Sequence, residues 1–427
     1  MEKKQTKPLV AVDFGSSGIK VMAAERIAPN TLKILGAETN DKYSCISKGI
    51  VANSSEAAYM LKESLTLLAN RIGVKKIDTA FTLLGGGNMQ LAELKIERDF
   101  VRERDITPAI LEELEQTCID NHETKNPDIA ILGLIPGYYI VDGKEMDDIP
   151  ENGLKASVIE PHYTAFVGEQ QVKSKVEDSF DHAFIHMENT FVRPDAHFSA
   201  LTADCPELLL KGCAIIDFGA QTTTLSIFKS NQYMTCKVAG AGGWNISASI
   251  ARCGISMQHA ELIKCRYGYA MPELIEKDKV LSIPSNTEAG KVVRIKLTEL
   301  AGMIQTILDE MMQPLFDTLR KYEDRIDTVF ITGGGCRLEG IAEYVQAHTK
   351  ANVDYGSHAP LLAHDTDEEW YGPEYSGLIG ALIMGSDYRD VHEPTDKSIE
   401  DTLIDKVKKG LRKLGDQTWI IFTDTDK

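Results

Sequence analysis

The stretch VAVDFGSSGIK at residues 10–20 has a counterpart in AIIDFGAQTTT at residues 214–224. In both, an apolar run with the composition of a β-strand ends in Asp-Phe-Gly, and small or hydroxyl-bearing residues follow. Each stretch predicts a β-hairpin with a tight turn. Because the order of residue types is the same, the chain is predicted to contain one structural plan twice.

The residue types of these hairpins suit phosphate binding. Glycine permits a tight turn and close backbone approach, while hydroxyl groups and backbone N–H groups donate to phosphate oxygens. Asp13 and Asp217, at the two strand ends, offer the oxygen ligands that Mg²⁺ prefers, directly or through water. One such hairpin alone is also typical of an ordinary turn. Because the pattern occurs twice, we predict that the two hairpins face each other and hold a nucleoside triphosphate.

A third stretch, VFITGGGC at residues 329–336, reads as a strand running into a glycine-rich turn, with a helix opening after it at residues 338–341. Backbone without side chains would pass flat against a nucleoside. An ordinary strand-to-helix turn explains this stretch equally well when it is taken alone.

Size and charge restrict the class of protein. A chain of 427 residues is long for one domain, and 43% hydrophobic residues suffice for sizeable cores. The formal net charge of −18 argues against nucleic acid as the main partner. The sequence shows neither a signal peptide nor an apolar run long enough for a transmembrane helix. We expect a soluble, cytoplasmic α/β protein.

Cysteine and histidine spacing gives little support to a zinc site. The eight cysteines are scattered without a CxxC motif, so we expect reduced thiols. His182 and His186 would share one helix face, but no third ligand follows at the spacing of a zinc hydrolase. Surface histidines are the favoured interpretation.

Together with four further markers, these stretches resemble the actin, Hsp70 and sugar-kinase superfamily, and within it the bacterial cell-division protein family FtsA. The similarity runs from residue 8 to residue 386. The markers are SKGIV at 47–51, LGGG at 84–87, GAGGWNI at 240–246 and AELIKCRYG at 260–268.

The resemblance implies an α/β, actin-like ATPase fold, in which two duplicated domains face a nucleotide cleft and a small α/β subdomain is inserted. We expect the first domain at 1–88 and 163–210, the FtsA-type insertion at 89–162, the second domain at 211–386, a linker at 387–397 and an amphipathic tail at 398–427.

The resemblance also implies the ligands, ATP and Mg²⁺, and the roles of individual residues. Asp13 and Asp217 would place the metal ion. The phosphates would be held by Gly15, Ser16, Ser17, Lys20, Gly219, Thr222 and Thr223. The ribose and base would contact Glu261 and Lys264, with Gly242 and Gly243 near the sugar and Gly333, Gly334 and Gly335 at the adenine and α-phosphate.

Hydrolysis in this superfamily is a matter of positioning and electrostatics, and it needs a polar side chain to orient water. Asp195, near the start of the helix before the second hairpin, is the candidate; a structural N-cap is the alternative for this residue.

Two positions depart from the family pattern. Ile307 stands one turn before Glu310 where an arginine is usual, and Ser249 stands where an aspartate is usual. They favour a divergent member that turns ATP over slowly or holds it as a structural switch.

The tail combines a basic amphipathic helix with the apolar cluster WIIF at residues 419–422, which is typical of an interfacial membrane anchor. A helix packed on the protein body, or one that binds a partner, fits the same pattern. The basic residues are Lys406, Lys408, Lys409, Arg412 and Lys413.

The function implied by the resemblance is that of a cell-division scaffold at the bacterial division site. It would tether the tubulin-like division protein FtsZ to the cytoplasmic face of the inner membrane, contact lipid through the tail and assemble into filaments. An actin-like adaptor of a type IV pilus or related envelope machine is an alternative. A small-molecule kinase of the same superfamily is a second alternative, although no clear general-base aspartate is found for it.

Overall fold

A computed structural model describes residues 7–42, 44–147, 149, 153–205, 207–230, 232–288 and 290–392. The strands are β1 (Leu9–Gly15), β2 (Gly18–Ala28), β3 (Thr31–Asn40), β4 (Ile46–Ser47), β5 (Ile50–Val51), β6 (Thr79–Leu84), β7 (Gln90–Lys95), β8 (Arg98–Ile106), β9 (Ile129–Val141), β10 (Lys144–Met146), β11 (Leu154–Glu169), β12 (His186–Val192), β13 (Cys213–Phe218), β14 (Thr223–Lys229), β15 (Gln232–Ala239), β16 (Val280–Pro284), β17 (Val292–Lys296), β18 (Thr328–Thr332) and β19 (Asn352–Tyr355).

The helices are α1 (Ser54–Ile72), α2 (Pro108–Lys125), α3 (Gln170–Ala183), α4 (Arg193–Leu201), α5 (Glu207–Lys211), α6 (Gly243–Ala251), α7 (Met257–Tyr267), α8 (Leu297–Lys321), α9 (Ile341–Gln346) and α10 (Ser376–His392). The longest, α8, buries one apolar stripe along its length, as its 3.6-residue spacing predicts. That stripe includes Leu300, Ile304, Leu308, Met311, Leu315 and Leu319.

Two five-stranded sheets share one strand order. In the first, β1, β2 and β3 form an antiparallel meander, and β6 and β12 continue from β1 in parallel. In the second, β13, β14 and β15 form the meander, and β18 and β19 continue from β13 in parallel. The duplication predicted from the two hairpin stretches is therefore confirmed at the level of whole sheets.

A third sheet has the order β10-β9-β11-β7, with β8 also paired to β11. It has its own small core, to which Phe100, Leu114, Tyr139 and Ile159 contribute. The apolar runs at 129–135 and 138–141 form the single strand β9. Strand β11 pairs with β9 on both sides of Gly137, with a register shift between Pro161 and Tyr163, so the chain does not turn there.

Helices α4 and α10 cross between the two large sheets. A Cβ atom added to Gly380 would lie 1.9 Å from the carbonyl oxygen of Ala196, so only glycine permits this approach. Gly380 therefore allows α4 and α10 to cross closely.

The predicted linker at 387–397 is wrong over its first part, because α10 continues to His392. Charges that look like a solvated linker in sequence are paired with the body of the protein. Arg26 on β2 contacts Asp387 at 3.2 Å and Asp390 at 2.8 Å. Arg389 forms two hydrogen bonds with Glu188, at 2.7 and 2.6 Å. The remainder of the linker and the whole predicted tail lie outside the described residues.

His182 and His186 do not share a helix face. Helix α3 ends at Ala183, Phe184 takes the left-handed conformation (φ 58°), and His186 begins β12. Among the helices of the described residues, none is long and apolar enough to cross a membrane.

Candidate functional site

The two predicted turns differ in length. Ser16 and Ser17 form a two-residue turn between the paired residues Gly15 and Gly18. Gly18 has φ 139°, and a Cβ there would lie 2.6 Å from the carbonyl oxygen of Asn40, so glycine is required. The second turn spans residues 219–222.

The second turn is closed by its own backbone, because Gly219 N donates to the carbonyl oxygen of Thr222 at 2.9 Å. Asp13 and Asp217 occupy corresponding places before the turns. Asp13 pairs across its hairpin with Lys20, and Asp217 pairs with Thr224.

The glycine-rich turn after β18 packs directly against the second hairpin. Gly333 has φ 83°, and a Cβ there would lie 2.3 Å from Asp217 Oδ1. A Cβ on Gly335 would lie 2.9 Å from the side chain of Phe218. Gly334 is exposed, and a Cβ there would meet no atom within 4 Å. The turn thus presents open backbone beside Asp217.

The start of α6 lies on the other side of the second turn. Gly243 N donates to the carbonyl oxygen of Gly219 at 3.0 Å, and Trp244 N donates to that of Ala220 at 2.7 Å. A Cβ on Gly242 would lie 2.4 Å from the Gly219 carbonyl oxygen, so this helix start also needs glycine. Lys264 Nζ donates to the carbonyl oxygen of Gly243 at 3.0 Å.

Glu261 is the centre of a hydrogen-bonded cluster next to this helix start. Its Oε2 accepts from Lys264 Nζ at 2.7 Å and from Ser247 Oγ at 2.5 Å. Burial alone would raise the pKa of Glu261, but these donors outweigh burial and hold the pKa below its usual value. The carboxylate is therefore ionised at neutral pH. Five predicted residues, Gly219, Gly242, Gly243, Glu261 and Lys264, are brought together in this way.

Three of the predicted phosphate contacts have partners within the protein. Thr223 is fully buried and its hydroxyl donates to the Ala241 carbonyl oxygen at 3.0 Å, so this hydroxyl already has a partner, and the phosphate contact of Thr223 stays a prediction. Ser16 Oγ accepts from Gly49 N at 3.0 Å. Lys20 Nζ donates to the carbonyl oxygen of Glu374 at 3.4 Å.

Asp195 faces β15. Its Oδ1 accepts from the hydroxyl of Tyr233 at 3.2 Å, and burial together with this carboxylate raises the pKa of Tyr233 well above its usual value. The N-cap of α4 is Val192, so the capping alternative for Asp195 is wrong. The role predicted for Asp195 in orienting water stays a prediction.

Arg193 is missing from the residues that the sequence predicts for this site. It is the first residue of α4, followed by Pro194, whose fixed φ suits a first helical turn. Its Nη2 donates to Asp13 Oδ1 in an ion pair. Burial alone would lower the pKa of Arg193, but attraction to Asp13 and Asp217 outweighs burial and raises it. The guanidinium group therefore forms an ion pair with Asp13 and also attracts the carboxylate of Asp217.

His197, one turn further along α4, lies beside the second carboxylate. Its Nε2 is 3.5 Å from Asp217 Oδ2, a contact that does not satisfy hydrogen-bond geometry, and its Nδ1 is 3.0 Å from Ser376 Oγ. Burial would raise the pKa of Asp217. The neighbouring His197 and electrostatic attraction to Arg193 and Lys20 outweigh burial and lower the pKa of Asp217, so this carboxylate is ionised.

A cavity of about 10 Å³ lies between α4 and the second hairpin, at the lower limit for one water molecule. Within the described part of the chain, Arg193 Nε and His197 Nε2 are buried without a hydrogen-bond partner. An unpaired buried group of this kind costs about 1–3 kcal/mol. A polar atom in the cavity would remove that cost. The lining residues are Gly86, Met89, Arg193, Pro194, His197, Ile215, Asp217, Thr222, Thr224 and Ser226.

The donor set does not fit a divalent metal ion as the protein is folded here. No group of three His, Cys, Asp or Glu side chains suited to a metal ion occurs among the described residues, so an ion here would depend on Asp13 and Asp217 with water or phosphate oxygens. Asp13 already pairs with Arg193. At an effective dielectric constant of about 20, the guanidinium group would repel a divalent ion about 4 Å away by about 8 kcal/mol, which offsets the attraction of one carboxylate at that distance.

The two residues that depart from the family pattern meet at one place. Ser249 and Ile307 line an open cavity of about 320 Å³ between α6 and α8, together with Glu310, Trp244 and Arg252.

Comparison with known proteins shows similarity to one family of cell-division proteins. A family model described as "Cell division protein FtsA" matches residues 214–380. FtsA of Streptococcus pneumoniae is 23% identical over 364 residues, covering 83% of this chain and 77% of the relative. FtsA of Pseudomonas aeruginosa is 24% identical over 388 residues and covers 89% of each chain.

Solved structures identify the fold. A chain of the PilM–PilN type IV pilus biogenesis complex superposes with a TM-score of 0.64 at 16% identity, covering 88% of this chain and 98% of that one. MreB5 of Spiroplasma citri, bound to ADP, superposes with a TM-score of 0.50 at 13% identity, covering 91% and 99%. The predicted actin-like fold is confirmed.

Proposed function

The chain is a divergent relative of the FtsA cell-division proteins, and from this premise we propose that it is a nucleotide-binding, actin-like scaffold of bacterial cell division. The observation that carries the proposal is that the second hairpin lies between the glycine-rich turn, which contacts Asp217, and the start of α6 with the Glu261 cluster, which contacts Gly219. Three stretches that are distant in sequence thus lie side by side, and each supplies either open backbone or charged donor groups. A nucleotide needs such groups for its phosphates and its nucleoside.

The proposed ligand is ATP. Its phosphates lie at the turns of the two hairpins, with Gly15, Ser17 and Thr222 as backbone or hydroxyl contacts. Its ribose and base lie between Lys264 and Gly334. The magnesium ion expected at Asp13 and Asp217 is left out of this proposal, because Arg193 already contacts Asp13.

Gly334→Leu tests the nucleotide site with little risk to the fold, since a Cβ there meets nothing within 4 Å. The side chain would fill the space assigned to the nucleoside, and we expect ATP affinity measured by calorimetry to fall at least about tenfold. Gly302→Leu on α8 is the matched control, because Gly302 also has no atom within 4 Å of an added Cβ. Equal ATP affinity in both variants would contradict the site.

The proposed scaffold acts at the cytoplasmic face of the inner membrane at the division site. Its partners are FtsZ, other copies of this chain in a filament, and anionic lipid contacted by the tail beyond residue 397. We propose the domain limits given by the sequence, except that the linker begins after His392. Apolar contact plus attraction to anionic lipid would hold such a tail at the membrane surface.

Vesicle co-sedimentation tests the tether, with the full chain compared with a chain ending at His392. This end point keeps the ion pairs of Arg26 and Arg389 intact. We expect the full chain to sediment with anionic vesicles and the shortened chain to remain in solution. Glutamate at Lys406, Lys408, Lys409, Arg412 and Lys413 should likewise release the full chain. Sedimentation of the shortened chain at the same level would contradict the tether.

A further inference from the structure

We propose that Arg193 takes the place of a divalent cation between the two hairpins, so that the cleft binds a nucleotide without a metal ion. This inference rests on the proposed nucleotide site and adds how the negative charge of the phosphates is balanced there.

The position of the guanidinium group is the first support. It is paired with Asp13 Oδ1 and attracted by Asp217, which are the two carboxylates to which a metal ion would otherwise bind. Its side chain is 18% exposed and lies over Gly85, where an added Cβ would come within 3.1 Å of Arg193 Cβ. Gly85 and the ion pair with Asp13 thus hold the positive charge of Arg193 beside the first hairpin, where it also attracts Asp217.

Buried nitrogen atoms without a partner are the second support. Arg193 Nε and His197 Nε2 are both buried without a hydrogen-bond partner within the described residues, and both residues line the small cavity beside Asp217. The His197 side chain is only 7% exposed. A planar guanidinium with a free N–H is well suited to an anionic oxygen. Thr222 and Thr224 line the same cavity and add hydroxyl groups.

Charge balance is the third support. Two bare carboxylates would repel a phosphate, and a bound metal ion commonly removes such repulsion. Here Arg193 pairs with Asp13, and Lys20 adds attraction at Asp217. The two carboxylates are thus matched by two cations before any ligand arrives. A phosphate would then meet matched charges and the unpartnered N–H of Arg193 Nε.

The decisive experiment compares ATP binding by the wild-type full chain in millimolar Mg²⁺ and in excess EDTA, by calorimetry. We expect the two dissociation constants to agree within about threefold. A dissociation constant at least about tenfold weaker in EDTA would overturn the inference while leaving the nucleotide site intact. Absence of ATP binding in both conditions would instead contradict the proposed function, and this inference with it.

Two variants distinguish the effect of the positive charge of Arg193 from that of its planar guanidinium group. Arg193→Gln removes the charge and should weaken ATP binding in EDTA at least about tenfold, with part of the loss recovered when Mg²⁺ is added. Arg193→Lys keeps the charge and should bind ATP in EDTA more tightly than Arg193→Gln. Arg320→Gln, an exposed arginine on α8, is the control and should match the wild type.

Folding of each variant is checked by circular dichroism. The comparison of Mg²⁺ and EDTA on the wild type tests the inference even if Arg193→Gln fails to fold. If Arg193→Gln folds and binds ATP in EDTA as tightly as the wild type does, Arg193 is not the substitute cation.

Discussion

The backbone N–H of Lys48 donates to Oε1 of Gln221 at 2.9 Å, which joins the first domain to the tip of the second hairpin. Ser47 Oγ donates to the same oxygen at 3.2 Å. One residue further on, Gly49 N donates to Ser16 Oγ in the turn of the first hairpin at 3.0 Å. The short turn at 47–49 therefore connects the turns of both hairpins across the cleft.

Gln221→Ala should loosen this connection. The variant loses two hydrogen bonds, each with a net value of about 0.5–1.5 kcal/mol, and leaves the Lys48 amide without its acceptor. We expect the Lys48 amide to exchange its hydrogen several-fold faster. Hydrogen exchange resolved to single residues by NMR would measure this.

Gln116→Ala is the control, since Gln116 lies exposed on α2 and bonds only its own helix neighbour Asp120. It should leave the exchange of Lys48 unchanged. Equal protection of Lys48 in the Gln221 variant and the wild type would show that the two domains are held together elsewhere.

Gly380→Ala should destabilise the crossing of α4 and α10. The new Cβ would lie 1.9 Å from the Ala196 carbonyl oxygen, and backbone must move to relieve the overlap, at a cost of about 3 kcal/mol. Gly302→Ala on α8 is the opposite case: its added Cβ meets nothing, and better helix propensity should stabilise the protein by about 0.5–1 kcal/mol. Urea midpoints should fall for the first variant and rise for the second.

The repeated features of the fold were accessible from the sequence. Strand-like runs before Asp13 and Asp217 indicate the central hairpins, and the apolar stripe from Leu300 to Leu319 indicates α8. Such periodic signals are local, so one segment suffices to detect them. The end of α10 was not accessible in this way. Asp387 and Asp390 look like linker charges until Arg26, which is distant in sequence, is placed beside them.

The residue types of the site could be predicted from the sequence, but the directions in which their side chains point could not. The sequence identifies Asp217 and the Gly333 turn, and the structure brings them within contact. It cannot show that Thr223 turns inward to Ala241, because strand alternation in a short hairpin depends on the register of its partners. Arg193 was missed because its partner Asp13 is 180 positions away. The signal that could have found it is a cation opening the helix before the second hairpin.

Thiol labelling should follow exposure. Cys253 is exposed and should react first with N-ethylmaleimide at pH 8. Cys213 and Cys336 are buried, and burial raises the pKa of each to about 12, so little thiolate forms. Peptide mass spectrometry should find these two unmodified in the folded protein and modified in urea. Labelling of Cys336 at the rate of Cys253 would show that the glycine-rich turn opens in solution.

The ion pair of Glu188 and Arg389 should give stability that depends on pH. Burial would raise the pKa of Glu188, but its hydrogen bonds with Arg389 outweigh burial and lower it, and both side chains are nearly buried. A carboxyl group with a lowered folded-state pKa stabilises the protein above its unfolded pKa of about 4.3, and this contribution is lost as the pH falls through the folded value. Arg389→Gln breaks the pair and should lower the free energy of unfolding by about 3 kcal/mol at neutral pH.

Urea midpoints of variant and wild type should differ equally at pH 7 and pH 6, both well above the unfolded pKa of about 4.3, and differ less at pH 4, slightly below it. A difference that is the same at all three values would mean that Arg389 stabilises α10 through its contact with Phe81 and its hydrogen bonds to the carbonyl oxygens of Lys7 and Pro8 rather than through its pair with Glu188.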